Sequence, residues 1–188
     1  MGYQKYLSDL WKDHDKIKDL IRPRLIEWRR SNSVTRVENP TRPDKAHKLG
    51  YKSKQGYIVV RSRVRRGGHT RPRSHSGRKS KNLRRKLVLG MNYQWIAEQR
   101  ANKKYPNCEI INSYFLAKDG KYYFYEIILI DRELGMKYPE IKNLAMQRGR
   151  VYRGLTHAGR KSRGLRYSGK GHEKMRPSKR ANRFRRKS

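Results

Sequence analysis

Apolar and polar positions sort this chain into stretches with a period and stretches without one. Residues 92–104, NYQWIAEQRANKK, place Trp95, Ile96 and Gln99 on one side, with Ala97 and Ala101 as strong helix formers. This predicts a helix whose last turn carries Lys103 and Lys104, where positive charge suits the carbonyl end of the helix dipole. Tyr105-Pro106-Asn107 ends it, because the residue before a proline is disfavoured in the helical region. Glu109–Ala117 (EIINSYFLA) and Lys121–Ile130 (KYYFYEIILI) are rich in β-branched and aromatic residues, and Lys118-Asp119-Gly120 between them predicts a β-hairpin. The second of these strands is apolar on both faces and is expected inside a sheet covered on both sides. A third strand is predicted at Gln55–Arg65, where Val60, Ser62 and Val64 face one way and Arg61, Arg63 and Arg65 the other. Its arginine face reads as a cationic ribbon leaving the core. The first 30 residues read as helical. Leu7, Leu10 and Trp11 form one apolar cluster, Ile17, Leu20 and Ile21 a second, and Leu25, Ile26 and Trp28 a third beyond Pro23, which is expected to kink or restart the helix. Asn39–Leu49, with two prolines and little apolar content, reads as a loop.

No period runs through residues 66–86 or through the stretch from Arg148 to the end, and charge explains why. Residues 61–86 hold 12 Lys or Arg and no Asp or Glu, and residues 148–188 hold 16 against 1, whereas residues 87–147 hold 8 against 7. The chain therefore reads as an α+β core over residues 1–147, interrupted by a basic loop at 66–86 and followed by a basic extension at 148–188. Over all 188 residues the net charge is +35, the hydrophobic fraction 34% and the mean hydropathy −1.16. Self-repulsion of that size opposes compaction unless a polyanion neutralises it, so the expected partner is a nucleic acid, an anionic membrane surface or an acidic protein.

The types of residue in the basic stretches favour nucleic acid. Arginine presents a planar fork that matches phosphate geometry, and glycine lets a backbone approach closely. Candidate contacts in the loop are Arg65, Arg66, Gly67, Gly68, His69, Arg71, Arg73, Arg78, Lys79, Lys81, Arg84 and Arg85, continuing from Arg61 and Arg63. In the extension they are Arg153, Gly154, Thr156, Gly159, Arg160, Lys161, Ser162, Arg163 and Gly164, then Lys170, His172, Arg176, Lys179, Arg180, Arg183, Arg185 and Arg186. Tyr152, Tyr167 and Phe184 are spaced through the extension as candidate stacking platforms for unpaired bases. Such a segment is expected to gain order only when RNA phosphates replace the missing apolar core. Gly154, Gly159 and Gly164 recur every five residues, which points to close approach to RNA or to positive φ. On the first reading, Gly159→Val impairs assembly on RNA and leaves the thermal melt of the isolated core unchanged.

Other chemistries find no foothold. Gly164–Gly171, GLRYSGKG, follows a phosphate-binding loop for seven positions, but Gly171 stands where magnesium binding needs Ser or Thr, and no buried strand precedes it. The six histidines share no metal-ligand spacing, and the carboxylates do not cluster as a two-metal nuclease requires. Glu126, in the most apolar strand, is expected to pair with a basic side chain. Cys108 stands alone, which excludes an intramolecular disulfide and suits a reducing compartment. The longest aliphatic run, Ile127–Ile130, is far below the roughly 20 residues of a membrane span. The opening residues lack the apolar centre of a signal peptide, so a soluble intracellular protein is expected.

Two stretches carry a more specific likeness. NPTRPDKAHKLGYKSKQGYIVVRSRVRRGGHTRPR (Asn39–Arg73) and RGLTHAGRKSRGL (Arg153–Leu165) resemble the signature segments of the fifteen-e family of archaeal and eukaryotic large-subunit ribosomal proteins. The opening MGYQKYLSDLW and the hairpin INSYFLAKDGKYYFYEIILID fit the same family, and the compact length points to an archaeal member. The resemblance implies a structural constituent of the large ribosomal subunit that binds its main RNA, beside neighbouring ribosomal proteins, in one copy per particle and without homo-oligomers. It further implies a three-layer α/β/α sandwich around a mainly antiparallel sheet, with long basic extensions ordered on RNA. No catalysis, small-molecule substrate, membrane or cofactor is implied, beyond magnesium or monovalent ions that bridge protein and RNA. Within the first signature segment, Arg42, Lys45, Lys48, Lys52 and Lys54 join the candidate RNA contacts on charge pattern. The alternative function is a free-standing RNA chaperone or ribosomal-RNA processing factor.

Overall fold

A computed structural model describes residues 2–68, Thr70, Ser76, Gly77 and 89–166. Among these the elements run α1 (Tyr3–Leu10), α2 (His14–Arg30), β1 (Val34–Val37), α3 (Pro43–Lys48), β2 (Tyr57–Arg65), α4 (Tyr93–Lys104), β3 (Cys108–Lys118), β4 (Tyr122–Asp131), α5 (Arg132–Met136), α6 (Lys142–Ala145) and α7 (His157–Ser162). The strands form one open antiparallel sheet in the order β1-β2-β4-β3, giving an α+β fold. The doubly apolar β4 lies inside that sheet, and every residue from Phe124 to Ile130 is buried, as its sequence predicts.

Period-two alternation divides the core between the two faces of the sheet. Val60, Val64, Ile127 and Leu129 pack with Trp95 of α4, whereas Val59, Phe124 and Ile128 pack with Trp28 of α2. In α2, Ile17 and Trp28 are buried and Ile21 and Leu25 half-buried, one stripe at helical spacing. Leu20 and Ile26 point outward, 60% and 43% exposed, so they leave the clusters that the sequence suggests. The helix runs through Pro23 without restarting, with Asp13 capping its start by accepting from the Asp15 N–H at 3.2 Å. Asn92 caps α4 in the same way, accepting from Trp95 N–H at 2.8 Å.

The sequence reading needs correction in three places. Residues 39–49 are not wholly a loop, because α3 forms there. Pro43 occupies the first helical turn, where a missing N–H costs nothing, and buried Asp44 accepts from the Arg42 guanidinium at 3.1 Å. The hairpin forms where the sequence predicts it, with Asp119 building the turn: its Oδ1 accepts from Lys121 N–H at 2.7 Å and Tyr122 N–H at 2.6 Å. β2, however, does not leave the sheet: it pairs with β4 along its full length, to Arg65 opposite Tyr122. Finally, burial continues past residue 147. Val151, Thr156 and Ala158 are fully buried, and Trp95 Nε1 donates to the Val151 carbonyl at 2.7 Å.

Candidate nucleic-acid interface

The root of the basic loop and the basic α7 segment are far apart in sequence and meet in space. A groove of about 620 Å³ is lined by Gly67, Gly68, Gly90, Tyr93, Lys161 and Ser162, among others. Its walls are tied together by short-range bonds. Tyr93 Oη accepts from the Gly67 N–H at 2.9 Å and donates to the Gly67 carbonyl at 3.2 Å. Asn92 N–H donates to Ser162 Oγ at 3.1 Å, and Asn92 Nδ2 donates to the Ala158 carbonyl at 3.0 Å. The start of α4 therefore clamps both basic segments. Lys161 lines the groove and is exposed, as are Arg65, Arg153 and Arg160 in the neighbouring stretches of chain, and Arg66 lies over the Tyr123 ring with its guanidinium 5.2 Å from the centroid.

A second exposed set belongs to the stretch between β1 and β2. Lys45 and Lys48 project from α3, and Lys54 sits 5.5 Å from the Tyr138 ring centroid. Lys52 pairs with Glu140 at the surface. Arg42 is held in the protein, over the Trp11 ring at 4.4 Å and against Asp44.

The arginine face of β2 is occupied by protein. Arg61 lies 4.9 Å from the Trp28 centroid, and burial pushes its guanidinium below its ordinary pKa. Arg63 lies 4.7 Å from the Tyr122 centroid and donates to the Arg29 carbonyl. Only Arg65 of the three is exposed. The period-two argument found the face correctly; it contained no signal that α2 lies across it.

The glycine-rich segment meets its expectation of positive φ at Gly154 and Gly164, while at Gly159 the close approach has a different partner. A Cβ on Gly159 would stand 2.7 Å from Gly154 Cα and 2.9 Å from Gly154 C, so the close approach is to the protein's own backbone. Gly154 and Gly164 take φ of +63° and +67°, the left-handed region that glycine enters without steric cost. Thr156 caps α7, accepting from Gly159 N–H at 3.2 Å, and its hydroxyl donates to Glu98 Oε2 at 2.6 Å. Arg163 is buried and donates to the Gly154 carbonyl at 2.7 Å. Thr156, Gly159 and Arg163 thus build the segment, while Arg160 and Lys161 present its outer surface. Tyr152 is 48% exposed. His69, Arg71, Arg73, Arg78, Lys79, Lys81, Arg84, Arg85, Lys170, His172, Arg176, Lys179, Arg180, Arg183, Arg185 and Arg186 lie outside the described residues, as do Tyr167 and Phe184.

Sequence reasoning passed over Glu98, which holds this arrangement together. It is fully buried on α4 and accepts from both Ser113 Oγ on β3 and Thr156 Oγ1 at the α7 cap. Burial raises its carboxyl to about 7, against the lowering effect of the two hydroxyls and the Arg150 charge. The signal was present as a carboxylate at the i+3 position from Trp95, on the helix face that packs inward. Glu126 differs from its expectation too. Its partners among the described residues are the Thr41 N–H, at 3.1 and 3.2 Å, and the Tyr114 hydroxyl, not a paired cation. Burial raises its carboxyl, with the nearby Arg61 charge opposing. Cys108 is a buried small side chain whose thiol burial pushes up to about 11. Among the described residues no His, Cys, Asp or Glu cluster suits a metal, and no helix is long and apolar enough to cross a membrane.

Comparison with known proteins agrees with the likeness seen in the signature segments. A family profile described as Ribosomal L15 matches residues 2–182. The large ribosomal subunit protein eL15 of Picrophilus torridus is 49% identical over 184 residues, covering 94% of each chain. Its namesake in Thermoplasma volcanium is also 49% identical, over 187 residues, and that of Methanocorpusculum labreanum is 46% identical over 179, covering 92% of each chain. A profile match across nearly the whole length, with relatives at this identity and coverage, leaves one assignment: the chain belongs to the Ribosomal L15 family.

Proposed function

We propose that the chain is a structural constituent of the cytoplasmic large ribosomal subunit, binding and stabilising its folded RNA beside neighbouring ribosomal proteins. The observation that carries this reading is the convergence of the loop root and the α7 segment on one groove, in a chain of net charge +35. Lys161 is assigned to phosphate at the groove and the exposed Arg65, Arg66, Arg153 and Arg160 to phosphates along the same two stretches of chain, with the Gly67-Gly68 backbone admitting close approach. Lys45, Lys48 and Lys54, exposed on the stretch between β1 and β2, form a second contact. Lys52, Arg42, Arg61 and Arg63 act mainly through the protein, and the basic residues of 69–88 and 167–188 extend both contacts into RNA. The role involves no catalytic step, and any magnesium or monovalent ion belongs to the protein–RNA boundary. Separate core clusters on the two sheet faces support a three-layer α/β/α sandwich. Burial of Val151 and Ala158 supports a folded unit that includes the α7 segment, with the RNA-ordered extension beginning after it.

Sucrose-gradient fractionation tests the reading. One copy per mature large subunit, retained through a moderate salt wash, is the expected result. Presence only in light fractions or precursor particles would transfer the chain to the RNA chaperone or processing class.

A further inference from the structure

β3 is an edge strand, and its two halves are treated differently. Outward carbonyls of the first half are capped by side chains. Arg150 Nη1 donates to the Ile110 and Ile111 carbonyls, and Gln94 Nε2 donates to the Ser113 carbonyl at 3.0 Å. Over Tyr114–Lys118 no such cap occurs. Among the described residues, the backbone there hydrogen-bonds only to β4. An uncapped strand edge is a template for another strand, and proteins usually blunt such edges.

Beside this open half lies a hollow of about 820 Å³ between α2 and β3. Ile21, Leu25, Phe115, Leu116 and Ala117 supply its apolar surface, and Phe115 is 39% exposed. Lys18, Arg22 and Lys118 stand at the rim against a single carboxylate, Asp15. We propose that this edge and hollow form a docking site for an extended segment of a different protein, acidic and alternately apolar, that adds a strand to β3.

Charge selects this occupant over the chain's own basic segments and over a second copy. Residues 69–88 of this chain carry no carboxylate and residues 167–188 carry one, so both meet a cationic rim as like charge. A second copy brings the same +35. RNA would meet the cationic rim equally well, and what argues against it is the lining: beside the two aromatic rings of Phe115 and Tyr123, the aliphatic Ile21, Leu25, Leu116 and Ala117 next to an open backbone edge suit a β-strand with apolar residues on one face. The inference rests on the ribosomal reading only in taking the partner from a neighbouring protein of the large subunit.

Photo-crosslinking in cells tests it with the full chain. A benzophenone amino acid replaces Phe115, and the tagged chain is purified whatever particle it occupies, so the outcome is independent of gradient position. The expected product is a crosslink mapped to one extended Asp/Glu-containing segment of another protein. Reversing the rim with Arg22→Glu and Lys118→Glu should lower its yield about fivefold, the scale set by two rim charge pairs. A crosslink to RNA, to this chain's own basic segments or to a second copy overturns the proposal. So does the absence of a product, or a yield indifferent to the rim charges. Loss of the chain from large subunits, with the crosslink intact, would instead count against the ribosomal reading.

Discussion

Gly159→Ala adds one carbon, and the structure says where that carbon goes. The new Cβ would meet three backbone atoms of Gly154, at 2.7, 2.9 and 3.1 Å. Flexible side chains can yield to such a contact, but Gly154 is held on several sides. Its N–H donates to the Val151 carbonyl, its own carbonyl accepts from Arg163, and its Cβ direction already faces Trp95 at 3.1 Å. Overpacking of a well-packed site costs about 1–3 kcal/mol. Alanine's better helix propensity returns up to about 1 kcal/mol. A net loss of about 1–2 kcal/mol should lower the melting temperature by about 2–8 °C in a chain of this size. The assay is a thermal melt of the isolated chain without RNA, followed by circular dichroism. Gly90→Ala is the control, because a Cβ there meets nothing within 4 Å and the residue does not take positive φ. Gly159→Val should cost more than Ala, contrary to the sequence-based expectation of an unchanged melt. If Gly159→Ala melts with Gly90→Ala and the wild type, while its incorporation into subunits fails, the close contact is with RNA and the packing argument collapses.

Glu98 has a folded pKa near 7, above that of a free carboxyl at 4.5. The folded state therefore holds a proton that the unfolded state has lost, and stability should fall as pH rises from about 4.5 to about 7. Denaturant midpoints across that range should decline in the wild type and less steeply in Glu98→Gln, where the raised Glu126 carboxyl still contributes; parallel profiles would refute the assignment. Arg61→Gln should destabilise the isolated chain by removing a cation from the Trp28 face, by about 0.5–2 kcal/mol. Arg65→Gln should leave the melt alone and reduce the log-salt slope of RNA binding by roughly 0.7–0.9. Equal effects of the two substitutions in both assays would erase the distinction between buried and exposed arginines.

The strands were legible because their signal is local. Val60, Val64, Ile127 and Leu129 alternate with residues of the opposite face, and period two assigns them without knowledge of what covers the sheet. The same alternation could not say whether α2 or RNA would meet Arg61, since a guanidinium stacks on tryptophan and binds phosphate with equal facility. The α7 segment was misread for a related reason. Its burial rests on a few small residues, Ala158, Gly159 and Thr156, whose contribution is to let Trp95 and Glu98 approach. Mean hydropathy sees such residues as loop, because the apolar area they bury belongs mainly to α4. What remained readable there was charge, which picked out Arg160, Lys161 and Arg163 alike, although only the first two are exposed and Arg163 is buried.

The buried arginines lead to a last prediction, about salt. Arg150 donates to the carbonyls of Ile110, Ile111 and Leu155, and Arg163 to that of Gly154. Their partners are dipoles at hydrogen-bond range, which mobile ions screen little. The repulsion among surface cations, by contrast, is long-range and spread over a net charge of +35. Raising monovalent salt from about 0.1 M to about 1 M shortens the Debye length from ~10 Å to ~3 Å and removes most of that repulsion. The melting temperature of the isolated chain should therefore rise with salt, while its affinity for RNA falls through counterion release. The two responses have opposite signs because the same surface charges that oppose folding drive binding. A melting temperature that falls with salt would mean that surface ion pairs such as Lys52–Glu140 hold the fold together, and that its arginine–carbonyl bonds are secondary.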